Sequence, residues 1–486
     1  MIPVQRRKMC GSLQNMIISI EQNVVRTNKR KTMRGRKNKT AKEIKCSMTG
    51  LRNTAGDPTQ LKKIAEGFLD SMRLILVAAT LCLILVLLLV FKASFFANAE
   101  NGTFWIIYGT ITTAYLITRL PWAYIYDDTH DKFDKTKTQP SVTFIIAAKN
   151  EEGGIFETIS SCLKSEYSAD IEMIVINDGS TDGTLCQIVR AVNYFGHLVR
   201  VVSFESNRGK REAMAAGVKA AKNDIIVFVD SDSFIRKDAL RHIVEHFQDR
   251  SVGAVSGNTT VHNEKTNMLT KMQSIQYAIS FDIYKAGESV HGAVTCCPGC
   301  FSAYRKSAIL PFLLDWENQK IFGTKGTFGD DRGLTNLVLK TWNIVYCRNA
   351  RATTIVPEKF GVYLRQQLRW KKSWIREGLF ASYFMWKRNP LASLAFYINF
   401  TFPIMGPVVS FWMLYIFVVY NDVLSLALFF LSFVIIGLMF ALYLNLFEGK
   451  KYFTHISIFS VLFVTILIWQ MPYAAATITR THWGTR

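Results

Sequence analysis

The segment 225–234 reads IIVFVDSDSF: five apolar residues in a row, then Asp230 and Asp232 with one serine between them. Two like charges at the mouth of a buried strand repel, and one carboxyl pKa rises unless a cation or a basic neighbour intervenes. A hard divalent cation, Mg²⁺ or Mn²⁺, meets that need. Such ions take one or two carboxylates and fill their remaining positions with water and phosphate oxygens. A D-x-D pair alone is common in surface turns; its place after an apolar run gives it weight. Asn207-Arg208-Gly209-Lys210-Arg211 opens a helical stretch directly after a strand. Backbone N–H groups beside Lys and Arg there suit an anion such as a diphosphate, the alternative being an exposed basic turn. Gly329-Asp330-Asp331-Arg332 sets two adjacent acids before the apolar stretch LTNLVLK, where one of them can serve as a cap.

Gln366, Arg369 and Trp370 fall at i, i+3 and i+4 of a helical stretch over about 361–380, hence on one face. An amide, a guanidinium and an indole on one stripe make a poor core and a good platform for phosphate and a sugar ring. A helix lying in a membrane interface, with Trp374, Lys371 and Lys372 at the headgroups, is compatible with the same stripe. Cys297-Pro298-Gly299-Cys300 has zinc-knuckle spacing, but no second Cys/His pair accompanies it and structural zinc takes four ligands. Neither G-x-x-x-x-G-K-[ST] nor a G-x-G-x-x-G after the first strand occurs, which sets aside an NTPase loop and a dinucleotide fingerprint.

These groups need a scaffold. Strands are expected at 141–148, 171–177, 200–205 and 224–230, with helices at about 153–164, 183–195, 209–222 and 236–249. Unalternating apolar strands separated by helices read as a parallel sheet covered on both faces, with ligands outside the carboxyl ends of the strands. Lys149-Asn150-Glu151, Asp178-Gly179-Ser180 and Asp230-Ser231-Asp232 all punctuate that end.

The 486 residues are 49% hydrophobic yet 20% charged, with slightly positive mean hydropathy, which points to a membrane protein with a substantial soluble part. Apolar runs at 74–91 and 104–118, and three more near 391–420, 423–447 and 453–478, approach or exceed the roughly 20 helical residues that cross a bilayer core. The expected order is a basic cytoplasmic arm over 1–70, a transmembrane hairpin over 71–125, and a cytosolic α/β domain over 140–360. Interfacial helices over 361–390, transmembrane or re-entrant helices over 391–480 and a tail over 481–486 complete it. The arm carries 16 Lys/Arg against 5 Asp/Glu, about half of the net charge of +21, and reads as a positive-inside segment near anionic lipid. A nucleic-acid tail is the other reading, but no binding module accompanies it, so no nucleic-acid partner is expected. Asn101-Gly102-Thr103 is a glycosylation sequon close to the membrane. The nine cysteines lie mainly in segments expected to be reduced, so no disulfide framework is implied.

The ordered set AAKNE, NDGSTDGT, NRGKRE, VDSD, CCPGCFSAYR, GDDRGLTN and QQLRW resembles processive family 2 glycosyltransferases, the group of hyaluronan, chitin and cellulose synthases, over about 140–380. GDDRGLTN, QQLRWKKSWIRE and the terminal WGTR are similar to hyaluronan synthases, whereas CCPGCFSAYR is similar to a chitin synthase segment. The resemblance implies a GT-A-type nucleotide-sugar domain between N- and C-terminal membrane helices, in a multi-pass protein of the plasma membrane with its catalytic domain in the cytoplasm. It also implies roles: Glu151 and Asp178 at the uridine, Lys210 and Asp230 at the nucleotide-sugar, and Asp232 on the metal. Asp331 is implied as general base, Gln366 and Arg369 hold the diphosphate, and Trp370 lies under the acceptor sugar. Cys297, Pro298 and Gly299 belong to the loop that positions the acceptor end.

The partners implied are UDP-N-acetylglucosamine, UDP-glucuronate, a growing polysaccharide chain and the lipid bilayer. Hyaluronan is the favoured product and chitin the alternative; a non-processive lipid-linked transferase is more distant, because the Q-x-x-R-W platform suits a growing chain. Asn399, Asn445 and Gln470 either face a sugar channel or bond across helices. Keeping WGTR beside the site requires one C-terminal stretch to be re-entrant, or 391–420, with Pro403 and Pro407, to be more than one element.

Overall fold

A computed structural model describes residues 106, 110, 119–126, 139–321, 323–325, 328–449 and 453–480. The basic arm, most of the first apolar hairpin, the Asn101 sequon and the WGTR tail lie outside the described residues.

Aliphatic and β-branched runs build the sheet. Strands β1 (Val142–Ala148), β2 (Ile171–Asp178), β3 (Val199–Phe204) and β4 (Ile225–Phe228) alternate with helices α1 (Ile155–Leu163), α2 (Thr184–Phe195) and α3 (Lys210–Ala220). They pair in parallel in the order β3-β2-β1-β4, with Val142 opposite both Ile171 and Ile225. Phe144, Ile146, Met173, Val175 and Val227 form one core with Ile155, Ile159 and Cys162 of α1. Each large aliphatic side chain so buried contributes roughly 1.5–3 kcal/mol, which holds the strand ends in register.

The sheet is not parallel throughout, and here the sequence expectation is corrected. Beyond β5 (Ser233–Ile235), α4 (Ala239–Glu245) and β6 (Val252–Val261), the chain runs along α5 (Met268–Ala278) and a π-helical turn (Ile279–Lys285). It returns as β7 (Ser302–Arg305), antiparallel between β4 and β6. A two-stranded ribbon of β8 (Lys320–Ile321) and β9 (Thr324–Lys325) then leads to α6 (Asp330–Leu339) and β10 (Asn343–Thr354). β10 lies parallel to β6 and antiparallel to β5, giving the order β3-β2-β1-β4-β7-β6-β10-β5. A four-residue strand arriving from afar is too short for hydrophobic periodicity to reveal its direction. Because β1, β2 and β4 are parallel, Glu151, Asp178 and Asp230 emerge at one edge of the sheet.

Helix α7 (Phe360–Ser382) follows the sheet, then α8 (Pro390–Tyr420), α9 (Val423–Glu448), α10 (Phe453–Leu462), a π-helical turn (Phe463–Leu467) and α11 (Gln470–Ala476). Among the described residues, three stretches are long and apolar enough to cross a membrane: Pro403–Tyr420, Val423–Glu448 and His455–Ala476. Phe411, Val418 and Val423 are exposed on them, as a lipid-facing surface requires. α8 starts on a capping Asn389 with Pro390 in its first turn and continues unbroken through Pro403 and Pro407. The prolines therefore do not divide 391–420; the irregular stretch is the last one, at its π-helical turn. Gln470 bonds across helices, accepting from Lys371 Nζ at 3.1 Å and donating to the Leu364 carbonyl at 3.1 Å. Arg348 of β10 and Glu448 at the end of α9 pair at 3.2 Å and tie sheet to span.

Candidate active site

The strand-end loops are stitched to each other before they meet anything else. Asn150, in the left-handed region at φ 55°, accepts from the Thr181 N–H at 2.9 Å, and the Glu151 N–H donates to Thr184 Oγ1 at 2.7 Å. The buried Asp178 carboxylate accepts from the backbone N–H groups of Arg208 (2.7 Å) and Gly209 (3.0 Å). The expectation of free N–H groups for a diphosphate at this turn is corrected: the anion they hold is Asp178 itself. What the turn offers outward is Lys210, whose ammonium is paired with Asp230. Burial alone would lower the Lys210 pKa; the charge of Asp230, helped by Asp331 and Asp330, outweighs it and raises the pKa above the ordinary lysine value.

Asp230 is enclosed on its other side by the C-P-G-C loop. A Cβ on Gly299 would stand 2.6 Å from Asp230 Oδ1, so any other residue there would have to displace the carboxylate. Cys297 is buried and its N–H donates to Thr335 Oγ1 at 3.0 Å, with the Tyr304 hydroxyl at 3.1 Å from the same oxygen. Pro298 lies between these two anchors in sequence. Burial pushes the Cys297 thiol up to about 12, and it raises those of Cys296 and Cys300 too, so none of the three is poised as a thiolate nucleophile. Asp232 receives long hydroxyl contacts from Ser233 (3.4 Å) and Thr354 (3.5 Å). Among the described residues, no group of three or more His, Cys, Asp or Glu side chains could hold a metal ion by itself.

The two acids of G-D-D separate. Asp330 is buried against Arg211 Nε at 2.8 Å, and its carbonyl accepts from Trp316 Nε1 at 3.0 Å. Arg211 also donates to the Trp316 carbonyl (3.1 Å) and Gln319 Oε1 (3.0 Å), while Gln319 donates to Glu377 Oε2 of α7 at 3.1 Å. Glu377 is 0% exposed, and burial raises its pKa against the opposing charge of Arg376. Asp331 is half-buried in the first turn of α6, accepting from the Arg332 N–H at 2.8 Å and lying 3.9 Å from Cys296 Sγ. Gly329, at φ +79°, makes the bend before these acids; a Cβ there would stand 2.1 Å from Ser373 Oγ of α7.

On α7, Trp370 is 37% exposed, Arg369 is half-buried, and Gln366 Oε1 is buried without a partner among the described residues. Gln367, between them, accepts from Gln276 of α5 at 3.1 Å. Sequence reasoning missed the Arg211–Gln319–Glu377 network, Thr335, Thr354 and the α5 side chains, because each is assembled from distant segments. Only the i, i+4 aromatics Tyr277 and Phe281 left a local signal.

The family model described as "Glycosyl transferase family 2" matches residues 143–310. The hyaluronan synthase of Streptococcus pyogenes serotype M3 is 30% identical over 424 residues, covering 85% of this chain and 97% of its own. The chain belongs to the processive family 2 glycosyltransferases. An N-acetylglucosaminyltransferase of Rhizobium meliloti is 33% identical over 282 residues, covering 57% of this chain and 66% of that protein. This family 2 transferase also shares its fold with a mannosyltransferase of Pyrobaculum calidifontis, solved in complex with GDP-Man and Mn²⁺. The TM-score is 0.55 at 16% identity, over 78% of this chain and 98% of that one. The GT-A-like fold expected from the sequence is thereby borne out, and the protein is a glycosyltransferase with three apolar stretches suited to a membrane among the described residues.

Proposed function

We propose that this transferase polymerises UDP-sugars into a β-linked, N-acetylglucosamine-containing polysaccharide, hyaluronan in the first place, and passes it out through its own membrane helices. The observation that carries this reading is the similarity to hyaluronan synthase over 97% of that protein's length. The C-P-G-C loop against Asp230, similar to a chitin synthase segment, favours chitin as the second reading. The domain order given above and a plasma-membrane location with the catalytic domain inside belong to the same proposal.

The chemistry is a single inverting displacement. Asp331 takes the proton of the acceptor hydroxyl, whose oxygen forms a bond to the donor sugar C1 as the bond from C1 to the diphosphate oxygen breaks. An alcohol near neutral pH needs such a base within hydrogen-bond reach. Asp331 is suited to it because Asp330 is already committed to Arg211. Lys210, Gln366 and Arg369 bind the departing UDP, Glu151 and Asp178 shape the uridine end, and Trp370 supports the acceptor sugar. Cys297, Pro298 and Gly299 hold the loop that presents its terminus.

The donor set fits a divalent cation: hard carboxylate oxygens at Asp232, with Asp230 beside it, too few to bind without nucleotide oxygens. The Mn²⁺ of the Pyrobaculum calidifontis mannosyltransferase supports this choice. Bound there, Mg²⁺ or Mn²⁺ would neutralise charge developing on the leaving diphosphate.

The test uses membranes containing the protein, the metal, and labelled UDP-N-acetylglucosamine with and without UDP-glucuronate. Polymer formed only with both donors and degraded by hyaluronidase is expected. Polymer from one donor, degraded by chitinase, would establish the second reading instead.

A further inference from the structure

Helix α5 presents one side chain to the site that the chemistry above leaves unused. The Tyr277 ring centroid lies 6.4 Å from that of Trp370, inclined at 56°, and 6.0 Å from that of Phe281, nearly parallel at 26°. Its hydroxyl makes no hydrogen bond among the described residues, although the ring is only half-exposed. Burial raises its pKa, and the nearby Cys300, Asp232, Asp230 and Asp331 add to the rise, so the hydroxyl stays protonated and remains a donor. A half-buried phenol beside Trp370, with no partner among the described residues, has a donor free for a ligand that enters over that indole. The helix is fixed in place: Gln276 donates to Gln367 at 3.1 Å, and Gln273 to the Pro357 carbonyl at 2.8 Å. Immediately beyond Tyr277 it widens into the π-helical turn Ile279–Lys285, an irregularity often found at functional sites.

We infer that Tyr277 is an acceptor-contact residue: its ring forms a second wall facing Trp370, and its hydroxyl hydrogen-bonds the acceptor sugar beside the oxygen that Asp331 deprotonates. This inference rests on the polymerase reading and deepens it. The two parts of the side chain carry separate duties, the ring holding the chain end between additions and the hydroxyl orienting it for attack.

The experiment compares wild type, Tyr277→Phe and Tyr277→Ala as full chains in membranes, supplied with UDP-N-acetylglucosamine with and without UDP-glucuronate. Initial rate, product length and UDP affinity are measured on each. Phe is expected to keep long products while its rate falls roughly tenfold, the scale of one lost hydrogen bond. Ala is expected to shorten the product as well, with UDP affinity unchanged in both, a split that mere loss of fold would not give. Wild-type rate and length in both variants would overturn the inference, as would a fall in UDP affinity that tracks the fall in rate. If wild type itself makes no polymer, the polymerase reading fails and carries this one with it; if only the variants behave as wild type, this one alone fails.

Discussion

The two halves of the site are built on different terms. The donor half hangs from the ends of β1, β2 and β4, and its acids are already engaged: Asp178 with two backbone N–H groups, Asp230 with Lys210. The acceptor half hangs from α5 and α7, and keeps unfinished groups: the exposed Trp370 and the Tyr277 hydroxyl, unbonded among the described residues. A donor that is the same nucleotide at every cycle rewards a closed, pre-paired site. A chain end that must bind and then advance rewards groups that the polymer satisfies and then releases. Asp331 stands at the seam, on α6 between the two.

The largest effect should come from that seam. Asp331→Asn removes the base while keeping its shape and is expected to lower transfer by roughly 10³-fold, within the range for general-base catalysis. UDP affinity, measured by calorimetry on the solubilised protein, should stay within about twofold, since Asp331 acts on the acceptor hydroxyl and not on the nucleotide. Near-normal synthesis by this variant would remove Asp331 from the mechanism and with it the division drawn here.

Next is the network that holds the halves in register. Arg211→Ala leaves Asp330 buried without its cation, and breaking such a pair costs about 3–5 kcal/mol. Denaturation of the purified protein should show that loss, whereas Lys219→Ala, which breaks the exposed Lys219–Glu317 pair, should cost under about 1 kcal/mol. Equal stability of the two variants would mean that Asp330 does not depend on Arg211.

A smaller effect separates the C-P-G-C loop from its cysteines. In Gly299→Ala the new methyl meets Asp230 Oδ1 at 2.6 Å and pushes the carboxylate away from Lys210. The donor KM should rise by roughly tenfold with modest change in kcat, the signature of lost uniform binding. Cys300→Ser, which leaves the backbone path alone, should change KM less than Gly299→Ala does.

These contrasts also mark what the sequence conveyed. β1, β2, β3 and β4 were legible because apolar runs between amphipathic helices have one economical arrangement, and the site acids stood at their ends. The reversed β7, the continuity of α8 through Pro403 and Pro407, and the internal use of the 208–209 N–H groups were not. Strand direction for four residues carries no periodic signal. A proline costs a helix less where neighbouring helices surround the released carbonyl. Competition between an incoming diphosphate and Asp178 is decided by folding, which places that carboxylate within 3.0 Å of the same donors. Thr335 and Glu377 were invisible because their meaning lies in what other segments bring to them.

The smallest expected effect tests where the acceptor half joins the membrane helices. Lys371 of α7 is packed against α11, its Nζ donating to Gln470 Oε1, and burial lowers its pKa to about 8. The unfolded chain keeps the ordinary value of 10.5, so between about pH 8 and 10.5 the unfolded state binds more protons than the folded one. Stability should therefore rise as the pH climbs through that window, because the folded protein no longer holds a charged ammonium among apolar side chains. Below pH 8 both states are charged and this contribution to the slope vanishes. Lys371→Met removes the titration and should flatten the profile above pH 8 while leaving UDP affinity unchanged, read by thermal unfolding at several pH values in one detergent. A slope that survives in Lys371→Met would assign it to another group and leave the α7–α11 junction without a part in it. A slope that disappears would show that the acceptor helix is held to the membrane segment through a lysine that gives up its charge easily. A joint of that kind can let the acceptor helix follow an advancing polymer while the donor half, locked by Asp178 and Lys210, stays where it is.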